Sequence, residues 1–201
     1  MVDDNKAEIF AKLISGERIR TFIENTSEAI WCIELEPPLA IDLPEDEQID
    51  HIYRYAYFAE ANDAYAQAAG YGRGEEMVGL RLDKVMPRSM PESITTLRQL
   101  IRAGYNTTDL ESVEVAKRGT LTYFLNNVNP VIEQGRLLRT WGISRDITAF
   151  KTAADNLRQA QRIARLGSWD WNIARNELWW SDEVYRIFGI LPQAFGATYE
   201  A

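Results

Sequence analysis

The sequence predicts an α+β fold in which short helices cover one face of an antiparallel sheet. Three observations predict it. Two strand-like runs come early in the chain, several short helical patterns follow, and three longer strand-like runs come next. Turn sequences of hairpin type, Arg118-Gly119 and Glu133-Gln134-Gly135, separate those last three runs. Polar capping residues and glycines bracket the helical patterns between the two groups of strands. The chain of 201 residues suits one domain with extra material, or two small domains.

Residues 5–24 read as a helix from Ile9, Phe10, Leu13, Ile19, Phe22 and Ile23, with Gly16 weakening its middle. Residues 28–35 read as a strand through Ile30, Trp31 and Ile33, and Pro37 and Pro38 are expected to end it. Asp42 offers an N-cap with Glu45 as its capping-box partner. Ile49, Ile52, Tyr53 and Ala56 then predict an amphipathic helix over 43–55. Residues 57–61 read as a short strand. Asn62 caps a small helix over 63–69, which Gly70 ends. Ser89 and Glu92 form a second capping box ahead of Ile94, Leu97 and Ile101, and Gly104 closes that helix. Strands follow at 107–117, 120–131 and 136–147.

Phe150, Ala153, Leu157, Ala160 and Ala164 are spaced 3, 4, 3, 4, with Ile163 beside them. That is a short heptad seam, and it predicts a connecting helix over 149–166. A weak internal repeat follows. The early pattern of strand, strand, cap, small helix and glycine recurs between Gly167 and Gly189. The second copy stops at Ala201, so residues 167–201 read as an incomplete second domain of a longer protein.

Composition excludes several classes. The net charge of −8 supplies no basic face for phosphate backbones, so no nucleic-acid partner is expected. One cysteine, Cys32, excludes a disulfide within the chain, and with one histidine, His51, it cannot fill a four-ligand zinc site. No run approaches the ~20 apolar residues of a membrane span. The first residues carry Asp3, Asp4 and Glu8 rather than a signal pattern, so a cytoplasmic protein is expected.

The chemistry-bearing residues are dispersed. Gly70, Gly72 and Gly74 have the wrong spacing for a dinucleotide fingerprint and read as a helix end plus a loop. Asp42, Glu45, Asp46, Glu47 and Asp50 cluster at a helix start, which the macrodipole favours. Cys32 reads as a small core side chain, His51 as solvated or partner-facing, and Arg145 as a surface charge. Trp169, Trp171, Trp179 and Trp180 read as core aromatics of a sheet. No catalytic constellation stands out, so this segment is not expected to be an enzyme.

Specific segments resemble the PAS family of sensor domains. They are Asn62-Asp63-Ala64-Tyr65, Gly70-Tyr71, Glu75-Glu76-Met77-Val78-Gly79, Asn129-Pro130-Val131 and Arg145-Asp146-Ile147-Thr148. The resemblance spans about residues 17–150 and departs from the family in an insertion at 36–55. It implies a five-stranded antiparallel sheet with N-terminal and C-terminal signalling helices. The implied domains are 1–25 (helical segment), 26–148 (PAS domain), 149–166 (connecting helix) and 167–201 (start of a second PAS domain). It also implies a ligand pocket between sheet and helices, mostly apolar and suited to a small apolar ligand. The pocket positions would be Leu82, Val85, Leu97, Ile101, Phe124, Asn126, Val128, Thr140, Gly142 and Ser144. The family's flavin-reactive cysteine would fall at Leu82, and the helix over 90–103 has no histidine for haem, so neither covalent flavin nor haem is expected. Asp146 and Thr148 would relay a signal, and Ile9, Leu13, Phe150, Ala153, Leu157, Ala160 and Ala164 would form a homodimer interface. The implied output lies in a C-terminal domain: a histidine kinase, or a diguanylate cyclase or phosphodiesterase. A ligand-free dimerisation scaffold is the other alternative.

Overall fold

β1 (Ala29–Ala40), β2 (Ala56–Ala61), β3 (Thr107–Val115), β4 (Leu121–Glu133) and β5 (Arg136–Asp146) form one antiparallel sheet in the order β2-β1-β5-β4-β3. The computed structural model describes Arg18 and residues 20–192, and it divides into two units at Thr148/Ala149. Between β2 and β3 lie α2 (Asp63–Ala68), two 3-10 turns (Gly74–Glu76 and Leu82–Lys84) and α3 (Pro91–Arg102), while α1 (Glu45–Tyr55) joins β1 to β2. Residues 20–25 are helical, and Ile9 and Leu13 lie outside the described residues.

Period-two alternation sets the sheet's inner face. Along β4, Thr122, Phe124, Asn126 and Val128 are buried while Leu121, Tyr123, Leu125 and Asn127 are more open. The inner face packs on Ile49, Ile52, Tyr65, Met77, Val85 and Leu97 from the helical side. Hairpin turns at Gly119 and Gly135 adopt positive φ, which glycine tolerates without strain.

Three local expectations are corrected. Pro37 and Pro38 do not end β1. The ladder to β5 breaks register between Glu34 and Leu39, so the prolines pass through an irregularity where no N–H is required, and pairing resumes at Leu39 and Ala40. Neither Asp42 nor Ser89 caps a helix. Pro44 and Met90 hold the N-cap positions without side-chain bonds, and Pro91 at N1 needs no acceptor. The loop before α1 is held instead by Gln48, whose Nε2 donates to Ile41 O (3.1 Å) and Leu43 O (2.6 Å).

The 36–55 insertion extends the core. It contributes the end of β1 and α1, whose Gln48, Ile49 and Ile52 are buried. Arg98 and Arg102 of α3 pair with Glu45 and Asp46 at the surface, where such pairs add little stability. Asn62 ties three segments together. Its Oδ1 accepts from Tyr65 N and Ile30 N, each at 3.0 Å. Its Nδ2 donates to Ile23 O (3.0 Å) and Glu28 O (2.7 Å).

The second unit holds most of α4 (Thr148–Ala164), the hairpin β6 (Trp169–Asn172) and β7 (Glu177–Trp180), and α5 (Asp182–Ile187). Trp169 pairs with Trp180 across the hairpin. Trp180 stacks on Phe188 at 5.4 Å and meets Tyr185 edge-on at 5.4 Å. Trp169 and Trp179 stay largely exposed, and α4 buries none of its residues.

Candidate ligand pocket and buried polar chain

A cavity of about 70 Å³ lies between the inner face of the sheet and the helical side. Its wall is mostly apolar: Trp31, Ile33 and Leu35 from β1, Ala56 and Phe58 from β2, and Leu82, Val85, Met86, Leu97 and Leu100 from the helical segments. The polar lining comes from Tyr65, Thr96, Tyr105, Ser112, Glu114, Asn126 and Thr140.

Most of these polar groups form one hydrogen-bonded chain across the sheet. Trp31 Nε1 donates to Ser144 Oγ (2.8 Å), and Ser144 Oγ donates to Asn126 Oδ1 (2.5 Å). Asn126 Nδ2 donates to Ser112 Oγ (2.9 Å) and Leu110 O (3.1 Å). Ser112 Oγ reaches Glu114 Oε1 at 3.4 Å, and Tyr65 OH donates to Glu114 Oε2 at 2.9 Å. The chain thus crosses β1, β5, β4 and β3 and ends on α2. Every member is at least nine-tenths buried. Buried polar groups are stable only when paired, and this one network pairs them together.

Burial shapes the titration of the group at its end. Desolvation pushes the Glu114 carboxyl up to about 7, opposed by hydrogen bonds from Tyr65 and Ser112. Tyr65 is held well above the ordinary phenol range, first by burial and then by Glu114. Tyr105 is also raised by burial, and its OH donates to Gln48 Oε1.

The sequence-predicted pocket positions divide into two groups. Leu82, Val85, Leu97, Asn126, Val128 and Thr140 line the cavity. Phe124, Gly142, Ser144 and Ile101 do not. Phe124 is fully buried against the Tyr65 ring at 5.8 Å. Gly142 lies beneath the Trp31 indole, where a Cβ would come within 2.0 Å of Cζ2. Ser144 is taken up by Trp31 and Asn126, and Ile101 packs at the edge of the core.

Asp146 and Thr148 form a joint at the start of α4. Asp146 Oδ1 accepts from Thr148 N (2.8 Å), and Thr148 Oγ1 accepts from Tyr123 N of β4 (2.9 Å). The glycine loop has its amides occupied internally. Gly72 N and Arg73 N donate to Glu76, and Gly74 N donates to Asp63. A Cβ at Gly74 would lie 1.9 Å from Ala61 O, so glycine there serves close backbone packing. His51 is half-buried, with Nε2 2.8 Å from Pro37 O.

Glu114, Tyr65, Ser112 and Trp31 are the cavity-lining members of the polar chain that sequence reasoning missed, and most of the apolar wall was missed with them. The period-two spacing in β3 puts Ser112 and Glu114 on one face, but only the pairing with β4 shows that this face is the inner one.

The residues do not fit a flavin–cysteine adduct or a histidine-ligated haem. Leu82 carries no thiol, and Cys32 alternates with the lining residues Trp31 and Ile33, which puts it on the other face of β1. Burial pushes the Cys32 thiol up to about 12, so no thiolate is available there. α3 has no histidine. Among the described residues no group of three His, Cys, Asp or Glu is placed to hold a metal ion. No described helix is long and apolar enough to cross a membrane.

A sheet of order β2-β1-β5-β4-β3 with helices and a small cavity on its inner face defines an α+β domain built on a single antiparallel sheet. Residues 50–152 match the family model described as the PAS fold, and the chain belongs to that family. No curated protein matches it. Among solved structures, an RNA-binding light-oxygen-voltage receptor is similar over 77% of this chain and 39% of its own, at 19% identity and a TM-score of 0.51. This chain therefore spans well under half of that receptor. A PAS domain of a protein from Colwellia psychrerythraea is similar over 68% of this chain and 98% of its own, at 18% identity and a TM-score of 0.47. A PAS domain from a two-component sensor histidine kinase follows at 17% identity and a TM-score of 0.46, covering 67% of this chain and 98% of its own.

Proposed function

We propose that this PAS sensory domain responds to a small ligand in its inner cavity and works as a cytoplasmic homodimer, with α4 carrying the response to a C-terminal output domain. The observation that carries this reading is the polar chain itself. It joins the cavity wall at Glu114 and Asn126 to Ser144 on β5, two residues before Asp146, which holds the first turn of α4. A change of donor or acceptor in the cavity would be felt along that chain without moving the apolar wall. Phe150, Leu157 and Ile163 of α4 are 72%, 60% and 85% exposed, which supports α4 as a surface for a second copy. The output we propose is a histidine kinase, with a cyclic-di-GMP enzyme as the alternative.

A ligand-free dimerisation scaffold is the second reading, and the size of the cavity favours it: about 70 Å³ is far below the ~300 Å³ of ordinary ligand sites. Native mass spectrometry separates the two. A dimer carrying a bound small molecule supports sensing, and a dimer of bare mass supports the scaffold. Leu157→Glu with Ala160→Glu is expected to shift sedimentation toward monomer. A dimer untouched by both changes moves the interface away from α4. Phosphotransfer by the full-length protein tests the kinase.

A further inference from the structure

Glu114 is the one carboxylate among the cavity-lining residues, and no Lys, Arg or His lines the cavity with it among the described residues. The groups facing it are neutral. Tyr65 approaches from α2, Ser112 lies beside it on β3, and Thr122 pairs with it on β4. Leu82, Val85 and Met86 add only apolar surface from the helical side.

The hydrogen bonds around Glu114 have a direction. From Trp31 through Ser144, Asn126 and Ser112, each group donates to the next, and Tyr65 donates from the other side. Both paths end on the carboxylate, which is therefore the acceptor of the whole network. Its two oxygens are unequally served. Oε2 receives Tyr65 at 2.9 Å, but the Ser112 bond to Oε1 is long and weak at 3.4 Å, against the ~2.5–3.0 Å of a strong O–H···O bond. A buried carboxylate oxygen with spare acceptor capacity at the wall of an apolar cavity suits a donor, above all a cation. Anionic ligands meet a carboxylate and no counter-charge.

We propose that the cavity recognises a compact aliphatic amine whose ammonium group donates to Glu114 Oε1 and whose alkyl body lies against Leu82, Val85, Leu97 and Val128. The proposal rests on reading the cavity as a ligand pocket, and it names the class of ligand. Size limits the body: about 70 Å³ is roughly half the ~150 Å³ apolar cavity that takes a benzene ring, so two or three heavy atoms suit it. The ionised carboxylate is the binding form, so affinity follows the Glu114 titration near 7 and falls on acidification.

The test is an amide-resolved NMR titration of the 201-residue chain with ethylammonium, ethanol, acetate and xenon as probes. Ethylammonium at pH 8 is expected to shift Ser112, Glu114 and Asn126 saturably, to bind ~30-fold more weakly at pH 5.5, and to lose its effect in Glu114→Gln. Acetate is expected to do nothing at these residues. The pH profile of the unaltered protein tests the same point without any variant. Ethanol and ethylammonium binding alike, with no change in Glu114→Gln or across pH, would overturn the amine proposal while leaving the pocket standing. If xenon and all three solutes leave the cavity residues unmoved, the pocket reading falls, and the proposal with it.

Discussion

Replacing Glu114 by glutamine is expected to change the slope of stability against pH. Burial holds the carboxyl at about 7 in the folded protein, against an ordinary value of 4.5. Between those values the folded state binds more protons than the unfolded state. The contribution of Glu114 to stability is therefore complete below about 4.5, declines as pH rises, and is lost above about 7. At 1.36 kcal/mol per pH unit, the interval from 4.5 to about 7 amounts to ~3 kcal/mol. Glutamine keeps the shape and an acceptor for Tyr65 but has no charge to desolvate. Its own hydrogen-bonding offset is the same at every pH. The difference in unfolding free energy, Glu114→Gln minus the unaltered protein, should thus grow by ~3 kcal/mol in favour of the variant from pH 4.5 to 8. Urea unfolding at a series of pH values, followed by circular dichroism, measures it. Parallel stability curves for the two proteins would refute the reasoning, because they would mean that Glu114 titrates alike folded and unfolded.

Gly142→Ala is expected to destabilise the domain by ~1–3 kcal/mol, since the new methyl would meet the Trp31 indole at 2.0 Å and drive it off Ser144. Thermal unfolding and a red shift of tryptophan emission should report it together. Asn62→Ala is expected to cost more than the ~1 kcal/mol of a lone helix cap, because the amides of Ile30 and Tyr65 lose their acceptor together; chemical denaturation measures this. Thr148→Val removes the acceptor for Tyr123 N, and hydrogen exchange at Tyr123 is expected to speed up while the centre of the sheet stays protected.

Local rules made most of the fold legible. The hairpins between β3, β4 and β5 were visible because Gly119 and Gly135 sit where the chain needs positive φ, and the flanking runs have strand length. Asn62 was legible as a cap because it precedes a short helix that a glycine ends. The continuation of β1 past Pro37 was not legible, since it depends on where the β5 ladder happens to break. Asn126, Val128 and Thr140 line the cavity from β4 and β5, where alternation fixes a face once the strand is known. Phe124 and Gly142 share that face but sit under Tyr65 and Trp31, and no spacing within a strand reveals what a distant ring covers. The Trp31–Ser144 bond joins residues 113 apart, which no window of sequence contains.

β3 shows why the polar end of the pocket escaped a sequence reading. Its alternation invites Val113 and Val115 inward and Ser112 and Glu114 outward, as an ordinary half-buried strand would have them. The structure does the reverse: Ser112 and Glu114 are buried and the two valines are only half-buried. Three constraints set this register. Ser112 pairs with Phe124 and Glu114 with Thr122, both inner-face residues of β4, and Val115 N is bound to Val85 O at 2.7 Å. A slip of one residue would turn every β3 side chain to the opposite face, exchanging a buried carboxylate for a valine. On burial alone that slip would be favourable, since a buried carboxyl is costly and a buried valine is worth ~1.5–3 kcal/mol. Its neighbours hold the strand in the orientation that burial of its own side chains would disfavour, and such conflicts between local pattern and global fold concentrate where a protein binds something. Glu114 lies at that conflict, beside the cavity and at the terminus of its hydrogen bonds.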